Sequence, residues 1–259
     1  MNPAPGPGLD PLLFAPAPAR EARFDVKDHW CECLNFPAGH AQKEQEFLHR
    51  QMNEEVNGME VSGRCLADFP EAEWSLCLSM ARQCADEARH VEMFQKLFEK
   101  RGGQVGEYPV LNFQYRIITK IETLIGRLAV QNRSFEAEGL DAIQFNIDAT
   151  RNDGACDMAA LYEAQIADEI VHVRFANQWI REAIRADPRN VLRMSAALTA
   201  AERAFREVMG TEGTKDIKYQ ANAEGRLEAG FLPEEVARAI TLTAARQATQ
   251  ADMAAENTR

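Results

Sequence analysis

Apolar residues recur every three to four positions over six long stretches of the chain, the periodicity of amphipathic helices. The first stretch, from about His40 to Asp68, has a seam of Leu48, Met52, Glu55, Met59, Ser62, Leu66 and Phe69. The second opens at Pro70, where a missing N–H does no harm, and stops at Gly102-Gly103. Its inner face carries Leu76, Met80, Cys84, Glu87, His90, Phe94 and Leu97. The third lies within Asn112–Glu138, around Ile118, Ile121, Ile125, Leu128, Asn132 and Phe135, and Gly139 closes it. The stretch from there to Asn152 is more weakly helical. The fourth, about Ala155 to Arg185, presents Met158, Tyr162, Gln165, Glu169, His172 and Ala176, and Asp187-Pro188 ends it. Residues 191–208 are helical, Gly210 to Gly230 reads as a polar, irregular connection, and Pro233 opens a last helix. Ahead of all these, residues 1–20 are rich in Pro, Ala and Gly (Pro3, Pro5, Pro7, Pro11, Pro16, Pro18) and predict an extended arm anchored by Leu12, Leu13 and Phe14. The pattern predicts an all-α fold: an irregular arm over 1–39, a four-helix bundle over 40–186 and a C-terminal helical extension over 187–259.

The seams are interrupted by carboxylates. Glu55 lies on the apolar stripe of the first helix, where an unpaired carboxylate is rarely tolerated and a cation is wanted. Its neighbour Glu54 follows a different line, with Phe47, Val61 and Cys65, and is the weaker choice. The second and fourth helices share Ala85-Asp86-Glu87-Ala88-Arg89-His90 and Ala167-Asp168-Glu169-Ile170-Val171-His172, both A-D-E-x-x-H. Residues three apart share a helix face, so Glu87 with His90, and Glu169 with His172, can each grip one ion. One such pair arises often by chance; two with matching flanks do not. Glu136 falls beside the seam of the third helix and completes the set.

Thirty-two residues separate Glu55 from Glu87, and thirty-three separate Glu136 from Glu169. Near-equal intervals predict two similar hairpins, and a two-fold arrangement of them gives an up-down-down-up order. A crossover must then climb the bundle between helices two and three. The fourteen residues Gly102–Tyr115, with Gly103, Gly106 and Pro109, reach roughly 46 Å when extended, enough for a helix of about 40 Å.

Four carboxylates and two imidazoles suit iron or manganese better than zinc, which prefers fewer ligands and often thiolates. Four negative charges offset two divalent ions. Asp86 and Asp168, one position before each Glu of the repeat, are placed to accept the free imidazole N–H of the histidine in the opposite half. Exposure to solvent is the plainer alternative for both. Arg89 can pair with such a carboxylate; its counterpart Val171 cannot. Tyr162, two turns before Glu169, is either a packed core tyrosine or a redox or hydrogen-bonding one.

Composition narrows the function classes. A net charge of −11 opposes a general nucleic-acid or membrane-surface binder, because phosphate wants a basic face. The six cysteines show no CxxC or zinc-finger spacing, so reduced thiols in a cytoplasmic protein are expected. Cys84 lies one turn before Glu87, with core packing the favoured role. No basic-then-apolar leader and no apolar run of membrane-spanning length occurs.

The matching stretches Glu55-Val-Asn, Ala85-Asp-Glu-Ala-Arg-His90, Gly106-Glu-Tyr-Pro109, Glu136-Ala-Glu-Gly-Leu-Asp141 and Asp168-Glu-Ile-Val-His-Val173 with Trp179 resemble the ferritin-like di-iron carboxylate superfamily. Within it they are most similar to a bacterial ferritin-like family described as a domain of unknown function. The resemblance implies a dinuclear site with Glu55, Glu87, His90, Glu136, Glu169 and His172 as ligands, and favours Glu55 over Glu54. D-E-A-R-H is also similar to the D-E-x-R-H signature of bacterial multicomponent monooxygenase hydroxylases. There are departures: Val110, Leu111 and Asn112 follow the G-x-x-P turn where that family has a histidine and an aromatic pair. Asn53 stands where a histidine is common, and Val171 breaks the second D-E-x-R-H.

The expectation is a non-haem di-iron oxygenase or oxidase with two Fe ions (Mn being the other metal that fits) and O2 as co-substrate. It would act on a small-molecule substrate by hydroxylation, N-oxygenation or desaturation. An electron donor such as a ferredoxin or reductase, and a homodimer, are compatible with this reading. The alternative is an iron-handling or peroxide-consuming protein of the ferritin or rubrerythrin kind, against which stand the C-terminal helices and the missing CxxC pair.

Overall fold

Two long helices, α1 (Lys43–Asp68) and α2 (Trp74–Lys100), form an antiparallel hairpin. Each step forward along α1 is matched by a step back along α2. Glu44 pairs with Arg101 at 2.8 Å, Glu55 approaches His90 at 3.2 Å, and the Cys84 thiol donates to the Met59 carbonyl at 3.6 Å. The apolar seams meet between them: Leu48, Met52, Val61, Leu76, Met80 and Phe94 are all buried. The fold comes from a computed structural model that describes residues 8–18, 24–37, 39–152, 154–210 and 219–256. Pro3, Pro5, Pro7 and the connection 211–218 lie outside the described residues.

The chain divides into two compact units, Met1–Gln131 with Val191–Gly213, and Asn132–Asn190 with Thr214–Arg259. In the first unit, Pro70 does not open α2. It sits inside the turn Phe69–Ala72, closed by Ala72 N–H to the Phe69 carbonyl at 3.1 Å, where proline's fixed φ suits the second position. The end of α2 follows expectation. Gly102, at φ +82°, donates to the Glu99 carbonyl, and Gly103 reaches back to Phe98. A Cβ on Gly103 would stand 2.0 Å from the Phe98 ring, so glycine is required there.

After that stop the chain climbs along α1. Gln45 donates to the Arg101 carbonyl, His49 accepts from Gly106 N–H at 2.8 Å, Asn53 donates to the Leu111 carbonyl, and Asn57 accepts from Tyr115 N–H at 3.3 Å. These four α1 residues recur at intervals of four, so they form one polar stripe that satisfies the backbone of the climbing segment. The climb does not end at Tyr115. It continues through α3 (Phe113–Lys120), and Arg127 of α4 (Leu124–Val130) reaches Asp68, at the far end of α1, at 2.8 Å. The expected fourteen-residue crossover therefore covers only part of the length, and a helix covers the rest.

The single third helix expected over 112–138 is broken at residues 121–123. Thr123 caps α4 by accepting from Gly126 N–H, while buried Arg127 bonds the carbonyls of Ile121 and Thr119, freed at the end of α3. Gly139 does not close a helix. A π-helical turn, Gln131–Glu136, follows α4, and α5 (Ala137–Asn152) runs straight through Gly139.

Near the N-terminus, Phe14 is 2% exposed and anchors its segment, whereas Leu12 is 80% exposed and does not. Ala15 and Arg116 exchange hydrogen bonds at 2.9 Å. Further on, β1 (Val26–Lys27) pairs in parallel with β2 (Val110–Leu111), tying residues 24–28 to the climbing segment. Helix α7 (Asn190–Met209) adds to this unit through Phe205, whose ring meets Phe113 at 5.7 Å.

In the second unit, α5 and α6 (Cys156–Ala186) form another antiparallel hairpin, with Arg151 paired to Glu163 at its tight turn. The stretch expected to be irregular up to Gly230 contains α8 (Ala223–Glu228), and Pro233 opens α9 (Pro233–Glu256) as predicted. Ala229, Phe231 and Val236 pack into a buried cluster with Ala137, Leu140, Ile170 and Val173. Among the described residues the protein is all-α apart from the short β1–β2 pair. No helix among the described residues is long and apolar enough to cross a membrane.

Candidate metal centre

The α1–α2 hairpin brings Glu55, Glu87 and His90 together. Their ligand-capable atoms lie within 4.8 Å of one another, and the three side chains are 8%, 3% and 0% exposed. His90 Nδ1 is 3.2 Å from Glu55 Oε2 and 3.2 Å from Glu87 Oε2. Glu87 is held on its other oxygen too, by Gln83 Nε2 at 3.3 Å. Opposite it, α1 carries Gly58, and a Cβ there would be 3.0 Å from Glu87 Cδ and Oε1. The notch exists because glycine has no side chain. Glu54 points elsewhere: its carboxylate is 3.8 Å from Arg50, and its burial raises its pKa against the pull of that guanidinium.

The second unit repeats the arrangement. Glu136 ends the π turn, and Glu169 and His172 come from α6; their ligand-capable atoms also lie within 4.8 Å of one another, all buried. His172 Nδ1 is 3.3 Å from Glu169 Oε2, and Asn132 Nδ2 donates to Glu136 Oε2 at 2.9 Å. In both triads Nδ1 is the nitrogen turned to the carboxylates, which leaves Nε2 for a partner outside.

The donor set suits a cation. Cis ligands about 2.1 Å from an octahedral ion stand about 3 Å apart, and the observed N···O spacings are 3.2–3.3 Å. Two carboxylates and an imidazole, taken out of water and aimed at one point, are stabilised by a positive ion between them. Oxygen with imidazole nitrogen accommodates iron, manganese or zinc.

The remaining predicted residues fall around these triads. Asp86 is half-buried, paired along α2 with Arg82 at 3.3 Å and with Arg89 at 3.4 Å. Arg89 therefore does pair with the carboxylate next to a triad glutamate. Asp168 is half-buried and Tyr162 is 2% exposed within α6. Cys84 is turned to the Met59 carbonyl, and burial, reinforced by Glu87, raises its thiol pKa.

Gln83 was missed from sequence, although a signal was present. The repeat is longer than A-D-E-x-x-H: Gln83 and Gln165 both stand four residues before the glutamate, giving Q-x-A-D-E-x-x-H twice. Asn132 stands four before Glu136, so an amide one turn upstream recurs on a third carboxylate.

Helical hairpins that each bury two carboxylates and an imidazole define an all-α protein with candidate metal-binding groups. The chain belongs to the family described as Protein of unknown function (DUF455), whose model matches residues 12–237. No curated protein and no solved structure matches the chain.

Proposed function

We propose that the two triads together hold a pair of iron ions, and that the protein is a non-haem di-iron oxygenase or oxidase acting on a small metabolite. In this reading residues 40–186 form a ferritin-like bundle in up-down-down-up order, with the C-terminal helices as an extension. The observation that carries it is the repetition itself: Glu with Glu-x-x-His, buried, occurs once in each hairpin with the same Nδ1 geometry. Glu55, Glu87 and His90 would hold one ion and Glu136, Glu169 and His172 the other. When bound, a ferrous pair supplies two-electron reduction of O2, which no side chain here offers.

The chain's own part is to fix and to shield. Gln83 and Asn132 each pin one carboxylate oxygen, so that the other keeps its direction. The buried residues beside the triads, Met52, Met80, Phe94 and Tyr162 among them, keep water away. Asp86 and Asp168 would accept from the Nε2–H of the histidines and raise their basicity. A cytoplasmic setting, supplying reduced iron and an electron donor such as a ferredoxin, fits free cysteines.

The test is anaerobic loading with Fe(II), metal analysis, then exposure to O2 with and without candidate amines or amino acids. Two irons per chain and O2 consumption stimulated by an organic substrate support the proposal. One tightly bound zinc would sink it. Iron oxidation that continues past two per chain without substrate would favour iron storage instead.

A further inference from the structure

The segment from Asn222 to Val236 is held on the α5–α6 hairpin as a bound peptide would be. Three consecutive carbonyls of the α8–α9 turn each accept from an α6 side chain. Glu228 accepts from Arg174 Nε at 2.8 Å, Ala229 from Asn177 Nδ2 at 2.9 Å, and Gly230 from Arg181 Nη1 at 2.7 Å. Before the turn, Arg226 makes a two-pronged bridge to buried Asp141 at 2.9 and 2.7 Å, and Asn222 N–H donates to the same carboxylate. After it, the Phe231 ring lies 4.7 Å from the Arg133 guanidinium and 5.3 Å from that of Arg226. Arg133 also bonds the Asn177 side chain and pairs with Glu235 of α9.

Arg133 is the point where this segment meets the metal ligands. It sits in the π turn, three residues before Glu136 and next to Asn132, which bonds that carboxylate. A π turn is rare and needs support from its surroundings, and the ligand direction depends on its register. We propose that Arg133 is a positioning residue for Glu136. The C-terminal segment grips Arg133 through Glu235 and Phe231, and α6 holds it through Asn177; together they keep the π turn in the register that aims Glu136 at Glu169 and His172. Residues some hundred positions downstream thus set the geometry of a ligand without touching a metal. This rests on the metal-binding reading given above.

The experiment uses full-length protein titrated with Co(II), whose visible absorption reports ligand geometry, with a melting curve beside each titration. Wild type should bind two Co(II) per chain. Arg133→Met should keep one tight site and weaken the other by roughly 10–100-fold, the scale for partners that orient a ligand. Its spectrum should change, and Arg133→Lys should recover part of the affinity. A purely structural arginine would lower the melting temperature and leave both Co(II) constants and the spectrum alone, which overturns the proposal. Should Arg133→Met not fold, Glu235→Gln and Phe231→Leu loosen the grip while sparing Arg133. Unchanged constants in both overturn it equally. A wild type that binds no Co(II) removes the metal reading and this inference together; unchanged variants beside a two-cobalt wild type remove the inference alone.

Discussion

Gly58 of α1 faces Glu87 of α2 so closely that a Cβ at position 58 would stand 3.0 Å from the Glu87 carboxyl carbon and Oε1. Gly58→Ala therefore has two opposite effects. Replacing a mid-helix glycine favours the helix by roughly 0.5–1 kcal/mol. The new methyl displaces Glu87 by a few tenths of an ångström and so disturbs its contacts with Gln83 and His90. The metal-free variant should melt no lower than wild type, while its affinity for Fe(II) or Co(II) falls. Unchanged metal affinity would show that the notch is only a packing feature.

Ligands and their supports should separate by metal content. His90→Ala removes a direct donor and leaves Glu55 and Glu87 less compensated, so metal per chain should fall from about two to about one. Asp168→Asn should keep both ions but weaken affinity or O2 consumption by roughly 10–100-fold. Metal analysis and an oxygen electrode, run side by side, distinguish them. An Asp168→Asn protein identical to wild type in both would remove Asp168 from the site.

The buried His49 should make stability depend on pH. Burial holds its imidazole down at about 4, against 6.5 in the unfolded chain, with Glu107 opposing it. The folded state therefore takes up its proton later than the unfolded state. Its contribution is fully present above pH 6.5 and is lost as pH falls toward about 4. Between pH 7.5 and 5 that loss is about 2 kcal/mol. His49→Gln, whose amide oxygen can still accept from Gly106 N–H, should show a shallower loss over that interval in urea unfolding. Parallel curves for the two proteins would contradict it.

Asp141 and Arg226 are 3% and 8% exposed, a buried ion pair. Breaking one costs about 3–5 kcal/mol, because the partner charge stays buried. Asp141→Asn should therefore lower the melting temperature strongly and speed proteolysis after α6. Asp141→Asn with Arg226→Met should recover much of the loss, since no lone charge remains. A double variant no better than the single one would place the effect elsewhere.

The long helices and the grouping of residues within each triad were legible because they rest on periodicity. Glu87 with His90, and Glu169 with His172, need only the helical repeat, and Glu55 stands out against an apolar seam. Three features escaped for physical reasons. The stripe Gln45, His49, Asn53, Asn57 reads as a solvated face, since a polar residue that bonds a buried backbone looks in sequence like one that bonds water. The break at residues 121–123 depends on Arg127 reaching back to two carbonyls, a contact no local propensity encodes. The two-residue strands are too short for any alternation, and they exist because distant segments meet.

The π turn at Gln131–Glu136 has a meaning on the scale of the gene. A π turn absorbs one residue more than an α turn, so it amounts to a one-codon insertion inside a helix. Without that absorption the extra residue would rotate every later side chain by about 100°. With it, the faces of α5 keep the phase they would have had, and the disturbance stays confined to the turn ending in Glu136. Relatives lacking the codon would align across this helix with a single gap. Whether they also lack an arginine at position 133 and the C-terminal segment that holds it would tell if the insertion and its brace arose together.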